Sequence, residues 1–262
     1  MPSNDRPPDI HILSAPLSDE ERAIYEWQMW VPGFGEKGQE RLKGATALIS
    51  RVGGLGGAIA QQLAAAGIGK LILAHRGDVK PSDLHRQLLM TQDWVGKPRI
   101  ESAKRRLLDL NPRLEIQAVA ENIHEGNAAE LVRKADIVFD CAPRFPERFA
   151  MNLECVRQRK PLIEAAVFNL EGQVTAILPG KTPCLRCIHP EEPTQWKRQF
   201  PIFAAVCAHA ASIAAMEGIK LLSGMEVSLA GRILYFDLQR MTFNMIRPER
   251  RKDCSVCGAL IP

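Results

Sequence analysis

Two short cysteine pairs are the part of this sequence best equipped for chemistry: Cys184-Leu-Arg-Cys187 and Cys254-Ser-Val-Cys257. Together they supply four thiolates, the number that a tetrahedral structural zinc needs. Each C-x-x-C turn sets two sulfurs on one side, so two such turns close the shell. A shell of four thiolates leaves no open coordination position, which makes such a metal structural and not catalytic. Four unrelated buried cysteines are the alternative. Three more cysteines, Cys141, Cys155 and Cys207, stand alone. In a chain without a recognisable export signal, that distribution favours metal over disulfides.

A second stretch, Thr46 to His75, bears on phosphate chemistry. It reads as an apolar strand, a glycine-rich turn, an Ala/Leu-rich helix and a second apolar strand, the order of a βαβ unit. In a working nucleotide site the glycines let backbone approach phosphate, and the helix start offers unpaired N–H groups and a positive dipole end. Here the turn is Arg51-Val52-Gly53-Gly54-Leu55-Gly56, so Arg51 occupies the place where G-x-G-x-x-G would open.

The surrounding elements must position these groups. Residues 1–16 are polar and proline-bearing and are expected to form a flexible arm, leaving 17–262 as a single domain. Ser18, with Glu21 three residues on, predicts a capped helix running to about Trp30, and Glu36 to Leu42 predicts a short second helix. After the βαβ unit, helices are predicted over about 97–110, 128–134 and 145–158. Strands are predicted over 114–119, 136–140 and 161–167. That alternation predicts a mostly parallel sheet with helices on both faces. Beyond Asn169 the pattern changes to strands at 172–178, 232–237 and 242–246, an antiparallel C-terminal extension. A buried helix over 203–222 interrupts it, and an irregular crossover from Cys184 to about Pro201 precedes that helix.

With 262 residues, 46% hydrophobic and 24% charged, the chain can bury a sizeable core. A net charge of +4, spread without a polybasic run, argues against nucleic acid. No uninterrupted apolar stretch approaches about 18 residues, so no membrane span is expected. With no secretory signal in the first residues either, a cytoplasmic location is the expectation.

In order, these pieces resemble the ubiquitin-activating-enzyme-like adenylyltransferases, the ThiF/MoeB/HesA group. The resemblance runs from about Leu17 to Gly258. It rests on Gly35-Glu-Lys-Gly-Gln39, Gly53-Gly-Leu-Gly56, Asp83-Leu-His-Arg-Gln87, Val95-Gly-Lys-Pro98, Glu171-Gly-Gln173, Ala215-Met-Glu-Gly-Ile-Lys220 and both C-x-x-C pairs. It implies a Rossmann-like mixed sheet, a dimer and a bound zinc. For working members it implies ATP and magnesium, used to adenylate the C-terminal glycine of a ubiquitin-like or sulfur-carrier protein.

The same resemblance marks where this chain departs from the pattern. Arg51 replaces the first glycine of the turn. His75 and Gly77 replace the acidic residues that bind ribose hydroxyls after the second strand. Asp83 stands where an asparagine is usual, Arg86 is kept, and Arg99 replaces a lysine. Pro143 falls at the magnesium-binding aspartate, and Trp27 falls at the arginine that reaches across the dimer. The nucleotide-site candidates are therefore Gly53, Gly54, Gly56, Arg51, His75, Arg86 and Arg99, in a degenerate pocket where ATP and magnesium lack their usual contacts. If Arg51 is buried it needs an anion or an internal partner, for which Asp78 and Asp140 are the candidates. His75 and His85 read as solvated loop residues or ligand contacts. Cys207 and His209 read as core residues, and Cys141 lies at the sheet edge where ligands bind.

Three functions remain open. The first is a binding or scaffold protein: a pseudoenzyme that recognises a ubiquitin-like or sulfur-carrier partner, or pairs with an active paralogue. The second is an active adenylyltransferase whose phosphate pocket is rebuilt from Arg51, Arg86, Arg99 and Arg144. The third is a pocket redirected to another anionic small molecule.

Overall fold

The computed structural model describes residues 12–192 and 201–260. Eight strands form one sheet: β1 (Thr46–Ser50), β2 (Lys70–Ala74), β3 (Glu115–Val119), β4 (Ile137–Asp140), β5 (Leu162–Phe168), β6 (Glu171–Ile177), β7 (Ile233–Asp237) and β8 (Thr242–Ile246). Their spatial order is β3-β2-β1-β4-β5-β6-β7-β8. The first five run parallel, with Leu48 of β1 beside Ile72 and Val138. The last three are antiparallel, as the change of pattern after Asn169 predicts. The order reverses between β1 and β4, and in an open parallel sheet ligands bind outside the carboxyl ends of the strands at such a reversal.

Among the described residues, eight α-helices accompany the sheet: α1 (Asp19–Met29), α2 (Gly35–Gly44), α3 (Gly54–Ala65), α4 (Arg99–Leu110), α5 (Glu125–Arg133), α6 (Phe145–Arg157), α7 (Leu185–Ile188) and α8 (Ala204–Ser223). Ile49, Phe139 and Ala165 point to one face and pack with Ile59 and Leu63 of α3, Leu107 of α4 and Ala214 of α8. Leu48, Ile72 and Val138 point to the other and meet Leu131 of α5, Met151 and Val156 of α6, and Leu185. Burial on both faces is why β1, β2 and β4 are apolar at nearly every position and do not alternate.

Local signals hold where they are short-range. Ser18 Oγ accepts from Glu21 N (3.2 Å) and Glu21 returns a carboxylate oxygen to Ser18 N (2.8 Å), completing the capping box at α1. The expected loose arm is corrected at its end. Ile12 is buried in the core and Ala15 N donates to Glu40 O (3.0 Å), so 12–16 lie docked against α2. Residues 1–11 lie outside the described residues, as do 193–200 of the predicted crossover.

By length and composition α8 would suit a membrane span. It is instead the helix that seals the sheet: Val206, Ala210, Ala214 and Leu221 are buried in the core. Its small residues permit a close approach. A Cβ built on Gly218 would lie 2.3 Å from the ring of Phe139 in β4, a fully buried side chain that has nowhere to go. Gly218→Ala is therefore expected to destabilise the fold by about 1–3 kcal/mol from overpacking, against at most about 1 kcal/mol regained in helix propensity. A urea midpoint that does not fall would show that α8 can back away from the sheet.

Candidate functional site

The chain leaves β1 through a turn that keeps glycine geometry without the first glycine. Arg51 has φ of 64°, in the left-handed region that costs a side-chain-bearing residue about 1 kcal/mol or more. Its N–H donates to Ala74 O (2.8 Å) and its carbonyl accepts from Gly53 N (2.7 Å), so the turn is fixed at both ends. α3 then starts at Gly54 and packs tightly. A Cβ on Gly56 would lie 2.4 Å from the Arg51 carbonyl, and one on Gly54 would lie 3.0 Å from Cys207 Sγ. Internal packing leaves no room for a side chain at Gly56 and little at Gly54, whatever binds above them. A Cβ on Gly53 would make only ordinary contact, with Gln87.

The Arg51 side chain meets neither Asp78 nor Asp140. It pairs with Glu147 of α6: Nε donates to Oε1 (3.0 Å) and Oε2 (2.9 Å), and Nη2 donates to Oε2 (2.7 Å). Both groups are largely withdrawn from water. A charged pair at that depth is costly to break from either side, because the survivor is left uncompensated.

A second carboxylate gathers the other two arginines. Asp83 is buried, and Arg99 Nη2 lies 3.3 Å and Arg86 Nη2 3.6 Å from its oxygens. Gln87 Nε2 and Lys80 N also donate to it, at 2.7 and 2.9 Å. The negative charge at this position thus holds Arg86 and Arg99 in place. Arg86 also donates to Ser82 O, and Arg99 to Asp78 O.

His75 corrects the reading of a solvated loop histidine. It follows β2, pairs with β3 through its N–H to Val119 O (3.0 Å), and is only 7% exposed. His85 is exposed, as expected, beside Arg86.

Above these groups a cleft of about 1070 Å³ opens at the carboxyl ends of the strands. Arg51, Arg76, Asn122, Arg144 and Glu147 line it, drawn from the loops after β1, β2, β3 and β4. Asp140 closes β4, fully buried, with Oδ1 accepting from Ala142 N (3.0 Å) and Oδ2 without a hydrogen bond. Arg148, 3.7 Å away, is shared with Glu164.

The lone thiols are not poised as nucleophiles. Cys207 sits in the first turn of α8 beside Gly54 and near Arg86, yet burial pushes its thiol up to about 11. Burial, with the Asp140 carboxylate beside it, pushes Cys141 well above the ordinary thiol range. His209 is half-buried and stacks edge-on against Phe236, with centroids 4.7 Å apart, its Nε2 without a hydrogen bond.

The four paired cysteines come together as their spacing implies. Cys184 and Cys187 open α7, Cys254 and Cys257 lie in the C-terminal tail, and their sulfurs all fall within 4.8 Å of one another. Cys184 Sγ is 3.7 Å from Cys254 Sγ, and Cys187 Sγ is 3.4 Å from Cys257 Sγ. Bonds of about 2.3 Å to one tetrahedral ion would set sulfurs about 3.8 Å apart, so the group fits a metal. Burial pushes the Cys184 thiol up, a cost that a bound cation would offset by stabilising the thiolate.

The model of the ThiF family matches residues 25–256. Protein HesA, heterocyst, of Trichormus variabilis (strain ATCC 29413 / PCC 7937) is 46% identical over 242 residues, covering 92% of this chain and 91% of its own. The adenylyltransferase and sulfurtransferase MOCS3 of Drosophila yakuba is 37% identical over 248 residues, covering 93% of this chain and 55% of its own length. Among solved structures, E. coli MccB with ATP matches with a TM-score of 0.77 at 29% identity, over 85% of this chain and 69% of MccB.

Asp140 gives the site a pH signature. Burial, opposed by Arg148, raises its pKa from 3.8 to about 7. Between those values the folded state keeps a proton that the unfolded state releases, so this group lowers stability as pH rises from about 4 to 7, by up to about 1.4 kcal/mol per pH unit. Asp140→Asn keeps the acceptor for Ala142 N and is expected to flatten that slope in urea melts across the range. A variant with the wild-type slope would assign the dependence to other groups.

Proposed function

The chain belongs to the ThiF family, and we propose that it binds the C-terminal tail of a ubiquitin-like or sulfur-carrier protein, or pairs with an active paralogue, without adenylating that tail itself. One observation supports this most: Arg51, Arg86 and Arg99, three of the four arginines available to replace the usual phosphate contacts, are each engaged by a carboxylate of the same chain. Adenylation requires a triphosphate to be held, neutralised and oriented in line with the attacking carboxylate. Here a triphosphate would have to displace Glu147 and Asp83 from their partners. Pro143 offers no oxygen side chain to magnesium. A tail carboxylate carries a single charge and needs only the unpaired N–H groups at the start of α3.

The alternative is an active adenylyltransferase with a rebuilt pocket. It draws on the turn, which keeps glycine geometry at Arg51, and on Arg76 and Arg144, which line the cleft without an ion pair among the described residues. A dimer, with itself or a paralogue, is part of the proposal. Ile24, Trp27, Trp30 and Val31 form an exposed apolar stripe on and just beyond α1, Trp27 being 79% exposed.

For the cysteine cluster we propose zinc, held by Cys184, Cys187, Cys254 and Cys257 and structural in role. Four thiolates suit a soft tetrahedral ion and leave it no open position. Elemental analysis is expected to find one zinc per chain. Cys254→Ser with Cys257→Ser should abolish it and cost about 3 kcal/mol or more, lowering the Tm by roughly 6–12 °C. A metal-free protein with an unchanged Tm would reduce the cluster to packing.

Calorimetric titration with ATP and magnesium tests the main reading. The wild type is expected to show no heat at millimolar ATP and no pyrophosphate exchange with any carrier tail. Arg51→Gly with Glu147→Gln, which removes the ion pair without stranding a charge, should stay silent because Pro143 remains. Micromolar ATP binding by the wild type, with exchange, would establish the alternative.

A further inference from the structure

Across the two cysteine turns Cys184 faces Cys254 and Cys187 faces Cys257, with 3.7 and 3.4 Å between the sulfurs. Each facing pair spans 70 positions of the chain. Closing either pair to a bond of about 2.05 Å asks for a movement of roughly 1.5 Å. Contacts that need no ion hold the two segments in register. Arg250 of the tail donates from Nη1 to Gly180 O (2.8 Å) and from Nη2 to Cys257 O (3.0 Å). Arg251 N donates to Cys187 Sγ (3.5 Å), and Leu185 N is tied to Asn152 of α6.

Access to the four residues is uneven. Cys187 and Cys254 keep 7% and 8% exposure, whereas Cys184 and Cys257 keep 1% each. Each facing pair therefore joins one cysteine at the rim with one sealed behind it. An oxidant meets the rim sulfur first, and the sealed sulfur stands where it resolves the product. The three lone cysteines compete poorly, because a thiol attacks peroxide as its thiolate and burial pushes the thiols of Cys141, Cys155 and Cys207 up.

We propose that the cluster is also a peroxide-responsive lock, in which oxidation replaces the ion by two bridges, Cys184–Cys254 and Cys187–Cys257. At each pair the rim thiolate attacks one peroxide oxygen, the O–O bond breaks, hydroxide leaves and a sulfenic acid forms. The sealed thiolate then attacks that sulfur, forming the S–S bond and expelling a second hydroxide. Per chain, two hydrogen peroxides are reduced to four waters, four protons are taken up, four thiolates are oxidised to two disulfides, and the divalent cation is set free. A bridge across 70 positions restrains the unfolded chain far more than one inside a single C-x-x-C turn. The tie between α7 and the tail thus outlasts the metal. The released ion rests on the zinc reading above, and the pairing of the sulfurs does not.

Treatment of the zinc-loaded full chain with hydrogen peroxide tests it, with a chromophoric chelator reporting zinc. The bridges are then mapped by trypsin digestion without reductant, where Arg186 separates Cys184 from Cys187. One zinc is expected to leave per chain as both cross-turn bridges form, and dithiothreitol should reverse the bridging. The bridged chain should regain at least half of the Tm difference between the zinc-loaded protein and the reduced, metal-free one. Bridges confined within each C-x-x-C turn, sulfinic or sulfonic acids in place of bridges, or no reaction at tenfold excess would each overturn the proposal. So would a bridged chain that melts with the reduced, metal-free protein. If elemental analysis finds no zinc, the same map and melt on the metal-free chain decide, so the zinc reading and the lock fail separately.

Discussion

The close approach of α3 to the end of β1 is the constraint on which the rest of the site depends. Gly56 has no room for a Cβ because the Arg51 carbonyl occupies that space. The turn makes its corner with Arg51 in left-handed backbone. Once the corner is fixed, the Arg51 side chain has a set origin, and α6 offers Glu147 to meet it.

Buried charge explains the remainder of the edge. Guanidiniums withdrawn from water need partners, and here carboxylates of the same chain supply them. Asp83 does this for Arg86 and Arg99, and Glu164 with Asp140 does it for Arg148. The loop from Lys80 to Gln87 is correspondingly organised around one carboxylate, which also accepts from Lys80 N and Gln87 Nε2. Arg76 and Arg144, which have no ion pair among the described residues, line the cleft beside the Arg51–Glu147 pair.

At the opposite side of the sheet's second half, the cysteine cluster does what the hydrophobic core there cannot. α7 is one turn long, and the tail after β8 contributes few buried apolar residues. Cys184 and Cys254 are 70 positions apart in the chain, and an ion held between the two turns would tie those short segments together. Asn152 of α6 anchors the same corner by accepting from Leu185 N (2.9 Å).

The amino-acid sequence by itself determined the elements, because their signals are local. The apolar runs at 46–50, 70–74 and 137–140, the capping box at Ser18 and the change of pattern after Asn169 each report on neighbours a few positions away. The four metal-ligand candidates were also legible, since C-x-x-C places its sulfurs within one turn. Which carboxylate meets Arg51 was not legible: Glu147 lies 96 residues away and is brought in only by the β1–β4 pairing and the start of α6. His75 looked like a loop histidine because nothing in its own segment shows that β3 and two arginines enclose it. Short-range hydrogen bonding and side-chain period are written along the chain, whereas desolvation and charge pairing depend on which distant segments close over a residue. For that reason the fold followed from the sequence, and the electrostatic character of the site was decided by the tertiary structure.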